Sequence, residues 1–151
     1  MTAELGHFAL IVGMVVALLQ GVLPLWGTFS RAGATRQALM ALARPAAYLQ
    51  CALVTLSFAA LATAFLSNDF SVAYVAQHSN SMLPKPYQFA AVWGGHEGSL
   101  LLWVLLLSVW TLAVGLFSRS LPLEMVARVI GVMGLVSVGF LLFILTTSNP
   151  F

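Results

Sequence analysis

Four stretches of the chain, residues 5–30, 45–68, 98–118 and 129–151, contain no Asp, Glu, Lys or Arg. Within them the apolar positions run round all sides of a helix instead of keeping to one stripe, so the surroundings they call for are lipid or other membrane helices. At 1.5 Å per residue, about 20 helical residues cross a hydrocarbon core of roughly 30 Å. Each stretch is long enough. The pattern predicts an all-α polytopic membrane protein with four transmembrane helices, over about residues 7–27, 45–66, 98–117 and 126–147. A longer loop on the outer side joins the second to the third. Composition agrees: 61% of residues are hydrophobic, 7% are charged and the mean hydropathy is +1.00.

The six basic residues set the orientation. Arg31, Arg36 and Arg44 lie between the first two spans and Arg119 and Arg128 between the last two, against Lys85 alone in the long loop of residues 67–97. Basic residues in short loops collect on the cytoplasmic side, which puts both termini and the long loop outside. Used in this way the arginines are topology signals, and a net charge of +2 gives no ground for a nucleic-acid partner. The first run is preceded by Glu4 and by no Lys or Arg, so it is expected to be a retained span and not a cleaved signal, despite the Ala-x-Ala pattern at residues 32–34. Cys51 is the only cysteine and cannot form a disulfide within the chain.

No acidic or basic residue falls at the centre of a span, which argues against a small proton-coupled transporter. There is no Ser/His/Asp set, Cys/His metal cluster or phosphate loop, so neither a catalytic residue nor a metal site is assigned. Small residues do recur at helix-packing intervals, as Gly13, Ala17 and Gly21 in the first span and Gly131, Gly134 and Ser137 in the fourth. That spacing lets helix backbones approach closely. Gln20 is placed to donate an interhelical hydrogen bond, and Pro24 to kink the last turn of the first span.

The third span carries the chemistry-bearing candidates. The polar cluster Gly94-Gly95-His96-Glu97-Gly98-Ser99 runs straight into the apolar run. Steps of 100° place His96, Ser99, Trp103, Leu106 and Trp110 on one stripe. Trp93 sits where an interfacial aromatic belt would hold it, whereas Trp103 and Trp110 lie deeper. Two roles are open for His96, Trp93, Trp103 and Trp110: facing a planar cofactor such as haem, or packing on neighbouring helices with His96 hydrogen-bonded at the interface. In the loop, Tyr74, Tyr87, Phe89 and Trp93 flank Pro84 and Pro86, and the piece after Lys85 is expected to lie along the bilayer surface. His78 reads as solvated, and His7 with Glu4 as the outer end of the first span.

The motifs WGGHEGSLLLW (93–103), ELGHFAL (4–10), PLWG (24–27), NDFSVAYVAQHSN (68–80) and VARVIGVMGLVSVGFLLFILTTSNPF (126–151) occur in this order. Together they closely resemble the N-terminal part of the CcmF family, haem lyase subunits of bacterial cytochrome c maturation. The lyases of nitrite-reductase maturation are close relatives. The resemblance implies that residues 1–151 are the N-terminal transmembrane portion of a larger, multi-pass inner-membrane protein whose N-terminus is outside. It further implies covalent attachment of haem vinyl groups to the thiols of a Cys-x-x-Cys-His motif on the periplasmic side. Other maturation subunits, a haem chaperone and apocytochrome c would be the partners. Full-length members also carry a b-type haem, but their ligand histidines and tryptophan-rich segment match nothing here, and none maps onto His7, His78 or His96. This chain alone is therefore expected to hold no stoichiometric haem. The alternative function is a non-catalytic membrane assembly module that packs against other subunits.

The charge count generates a test. On a Cys51→Ser background, a cysteine at position 78 should react with an impermeant maleimide in cells whose inner membrane is intact, and one at position 36 only after permeabilisation. Labelling of position 36 without permeabilisation would reverse the orientation.

Overall fold

The computed structural model describes residues 2–29, 33–118 and 120–151. Arg31, Ala32 and Arg119, used above, lie outside the described residues. The regular structure is helical: α1 (Thr2–Phe29), α2 (Ala34–Ala41), α3 (Ala43–Leu66), α4 (Ala73–His78), α5 (Lys85–Ala90), a 3-10 turn (Ala91–Trp93), α6 (His96–Phe117) and α7 (Leu123–Thr146). Among the described residues four helices are long and apolar enough to cross a membrane: Ala3–Phe29, Ala34–Leu66, His96–Phe117 and Leu123–Thr146. α1 starts five residues before the expected position, with Glu4 in its first turn, where a carboxylate meets the positive end of the helix dipole. α2 was expected only as loop; it leads into α3 through Leu42, which itself has helical dihedrals. The piece after Lys85 forms the short helix α5, with Gln88 buried and Tyr87 and Phe89 exposed.

Paired contacts order the bundle. Gly6 meets Ala60 and Gly13 meets Leu53, so α3 runs antiparallel to α1. His96 meets Ser148 and Thr111 meets Met133, so α7 runs antiparallel to α6. Tyr48 against Gly115 joins α3 to α6, and Leu25 against Gly131 joins α1 to α7. The ring α1–α3–α6–α7 is thereby closed. Leu10, Leu61, Phe65, Leu101, Val104, Leu141 and Ile144 fill the half on the side of the α3–α6 loop, labelled outer, and Met40, Ala43, Ala47, Val126 and Ile130 the opposite end, labelled inner.

In lipid, apolar side chains gain little by leaving one apolar medium for another, so close backbone approach and internal hydrogen bonds matter more. The α1–α7 seam shows the first. A Cβ on Gly21 would lie 2.6 Å from Leu135 Cδ2, one on Gly131 2.7 Å from Leu25 Cγ, and one on Gly134 2.8 Å from the Gly21 nitrogen. The second is seen where Gln20 Nε2 donates to the Ile130 carbonyl at 2.9 Å in the buried interior.

Several basic residues also close helix ends or pair with an acid. Arg44 Nε donates to the Gly115 carbonyl and its Nη2 to the Ser118 carbonyl, both at 3.1 Å, which caps the C-terminus of α6 with positive charge. Arg36 and Arg128 pair with Glu124 at 3.1 and 2.6 Å. At the outer end, Lys85 Nζ donates to the Leu66 carbonyl at 2.6 Å and caps α3 in the same way.

Two buried glutamines should respond oppositely to the same change. Gln50 in α3 is fully buried and neither amide atom has a hydrogen-bond partner among the described residues. Gln20→Leu should cost about 1 kcal/mol by removing an interhelical bond. Gln50→Leu should be neutral or stabilise by about 1 kcal/mol, because it removes an unpaired buried amide. Thermal unfolding in detergent measures both; a clear loss of stability with Gln50→Leu would contradict the assignment.

Candidate functional site at the outer lip

The outer lip begins where α3 stops. Asn68 takes a left-handed conformation, φ 57°, which asparagine tolerates better than most residues. The Asp69 N–H then bonds the Ala64 carbonyl and the Asn68 N–H the Phe65 carbonyl, a Schellman closure that turns the chain into α4. α4 carries Tyr74 inward, 4% exposed. The Tyr74 hydroxyl accepts from the Gly95 and Gly98 N–H groups at 3.1 Å each and donates to the Val92 carbonyl at 2.9 Å. That uses the full capacity of a phenol.

This contact explains the glycines. Gly95 is the N-cap of α6 and has no side chain to bond the free N–H groups of the first turn. Tyr74 supplies the missing oxygen from α4. A Cβ on Gly95 would lie 2.6 Å from His78 Nε2 and 2.7 Å from Tyr74 Cε1. One on Gly98 would run into the Val92 carbonyl oxygen and the Tyr74 hydroxyl. Ser99 Oγ completes the turn by donating to the Trp93 carbonyl at 3.1 Å. Burial pushes the Tyr74 phenol above its ordinary range; the two backbone N–H groups oppose this and the nearby Glu97 adds to it.

The three histidines all lie at this end of the bundle, tied to different partners. His78 Nδ1 is 3.0 Å from the Tyr74 carbonyl, and its ring packs on the tyrosine with centroids 4.5 Å apart. His96, exposed at the start of α6, has Nε2 3.0 Å from Ser148 Oγ. His7 Nδ1 accepts from Asn149 Nδ2 at 3.1 Å. The segment after α7 thus fastens α6 and α1 at the outer surface, and Phe151 lies over Gly6. Among the described residues no three His, Cys, Asp or Glu side chains gather as a metal site.

His96, Trp103 and Trp110 share a face as the spacing predicted, and that face points out of the bundle. Trp103 is 65% and Trp110 68% exposed. Trp103, Leu106 and Trp110 line a hollow of about 320 Å³ with Val136 and Phe140 of α7. Above it His96, Leu100, Gly139 and Phe143 line another of about 500 Å³ that shares Val136 and Phe140. The two form one apolar groove between α6 and α7. Trp93 is not part of it; it is half-buried in the lip, edge-on to Phe89 at 5.2 Å. Haem iron takes axial ligands such as His, Met or Cys. The groove offers His96 alone, and its Nε2 is engaged by Ser148. These residues do not fit a ligated haem.

Tyr74, Ser148 and Asn149 were missed as organising residues. Contacts across 21 to 24 residues of loop have no periodicity to betray them. The available signal was the pair Gly95 and Gly98, which marks a close approach.

The class is thus a polytopic membrane segment: a closed four-helix bundle with a capped outer lip and an open aromatic groove. No protein-family model matches the sequence. It is 58% identical over 151 residues to the cytochrome c-type biogenesis protein CcmF of Pseudomonas aeruginosa, covering all of this chain and 22% of that protein. It is 54% identical to CcmF of Escherichia coli K12, covering all of this chain and 23% of that protein. A solved structure of the cytochrome c haem lyase CcmF superposes with a TM-score of 0.91 at 28% identity, over 100% of this chain and 25% of that one. Over its whole length the sequence is similar to CcmF proteins, and it spans only part of their length. That part is between a fifth and a quarter of the curated relatives.

Tyr74→Phe should destabilise the purified chain by about 2 kcal/mol, because three buried backbone groups lose one shared partner. Gly98→Ala should be worse. A phenol whose pKa is raised on folding contributes stability below its unfolded value near 10, lost as pH rises through the folded value. The gap between native and Tyr74→Phe protein should therefore narrow above about pH 10. A gap that widens there would be inconsistent with this role.

Proposed function

We propose that residues 1–151 form the N-terminal membrane unit of a haem lyase of cytochrome c maturation, seated in the bacterial inner membrane with both termini and the α3–α6 loop in the periplasm. The observation that carries this is the end-to-end match to CcmF proteins, in sequence and in fold. The charge distribution on the loops supports the orientation, with Arg36, Arg44 and Arg128 at one end of the bundle and Lys85 at the other.

The unit's contribution is positional. In the family reaction, haem vinyl groups become bonded to cysteine thiols of apocytochrome c outside the membrane. The surface this chain presents there is the lip held by Tyr74, together with the His7–Asn149 and His96–Ser148 contacts. These residues fix the outer ends of α1, α6 and α7. Haem, its chaperone, apocytochrome c and the other maturation subunits are the ligand and partners of the complete lyase, and this unit serves as scaffold for it. His96, Trp93, Trp103 and Trp110 act here in packing and positioning and not as iron ligands.

The test is a chimera in which residues 1–151 replace the matching 22% of the Pseudomonas aeruginosa relative. Expressed in a strain lacking that relative, it should restore covalent haem staining of c-type cytochromes, and Tyr74→Phe should lower the yield several-fold. A chimera that reaches the membrane at normal levels but leaves cytochromes unstained would refute the proposal.

A further inference from the structure

We propose that the groove between α6 and α7 seats an additional transmembrane helix, contributed by the portion of the lyase polypeptide outside residues 1–151. The inference rests on the proposed function for the source of that helix and on four observations for its place.

The first is depth. Trp103 and Trp110 lie seven and fourteen residues below His96, roughly 10 and 21 Å into the bilayer. Tryptophan facing lipid collects at the headgroup level, where its N–H is hydrated. Two tryptophans exposed at 65% and 68% below that level are out of place against acyl chains and in place against a helix. The second is Gly139. The seam glycines 21, 131 and 134 are pressed on by a neighbour, whereas nothing lies within 4 Å of a Cβ built on Gly139, which lines the groove. A small residue facing outward between Val136 and Phe143 is the device that admits a helix backbone. The third is asymmetry: 28% of the α6 span and 33% of the α7 span are buried, against 44% for α1 and 50% for α2–α3. The fourth is supply, since this chain spans only 22% of a relative to which it is 58% identical.

The groove's lining sets the occupant's chemistry. From Phe143 to Trp110 every lining side chain is apolar except His96 at the outer mouth. The matching helix face carries aliphatic and small residues, with no charge at mid-depth.

A nitroxide at Leu106→Cys, on a Cys51→Ser background with other cysteines removed, reports on the groove through its oxygen accessibility in nanodiscs. In the 151-residue chain alone the label should show the high accessibility of a lipid-facing site. In the chimera it should fall about threefold or more as a helix replaces lipid. Gly139→Leu gives an independent readout: it should leave the thermal stability of residues 1–151 unchanged, because the space is open, yet reduce accumulation of the chimera several-fold. High accessibility in a correctly inserted chimera would overturn the proposal, with lipid as the occupant. Protection already present in the chain alone, accompanied by a dimeric mass, would also overturn it in favour of a second copy. A chimera that shows the threefold protection but attaches no haem would support the docking site and count against the haem lyase function alone.

Discussion

The first turn of α6 has free N–H groups and an N-cap glycine with no side chain to answer them. The Tyr74 hydroxyl, brought in from α4, answers two of them and gives its proton to Val92. Much of the outer half follows from that contact. Gly95 and Gly98 must lack a Cβ for the phenol to enter, and the loop must turn at Asn68 for α4 to reach the lip. With α6 anchored in depth, His96 stands level with Ser148, and the segment after α7 can hold α6 and α1 together. A water-exposed cap would be weaker, because each group could exchange its partner for solvent; a 4%-exposed phenol has no such exchange.

The inner half is held by different means. Its seam is backbone against backbone at Gly21, Gly131 and Gly134, where dispersion at short range replaces a hydrophobic effect that lipid does not supply. Arg44 closes the end of α6 there, so both ends of this helix are capped by side chains from other elements. α6 has Gly95 as its N-cap, with no side chain to bond the helix start, and at its other end the Ser118 carbonyl is met by Arg44. Its position along the bundle axis is consequently set by tertiary contacts at both membrane surfaces.

The fold was largely legible, and the reason is physical. Lipid permits few spanning structures, so length and absence of charge nearly determine a helix, and the Gly13/Ala17/Gly21 and Gly131/Gly134/Ser137 spacings correctly marked buried packing faces. The candidate site was legible only where helical periodicity reaches. The spacing of His96, Trp103 and Trp110 gave their common face, but not that the face opens outward, since periodicity relates residues on one helix and says nothing about its neighbours. The lip depends on loop conformation at Asn68 and on a phenol more than twenty residues from its partners, which no local pattern encodes. Arg44 was legible as a loop charge but not as a cap, because capping is a matter of reach and angle.

The bundle thus has two unlike sides. Where α1 meets α3 and α7, glycine and alanine let neighbours come close, and the glycines there are covered by other helices of the chain. Where α6 and α7 face outward, large aromatics stand apart around an open glycine. Bulky side chains hold two helices apart at the surface, and small ones between them leave a trough. A trough lined by tryptophan has specific edges and a hydrogen-bond donor, which fluid acyl chains cannot match but a helix can. The same residues that make this face unsuited to lipid suit it to a fixed neighbour. A close-packed side and an open one are therefore what a membrane unit requires if it is both to hold its own shape and to seat a further helix.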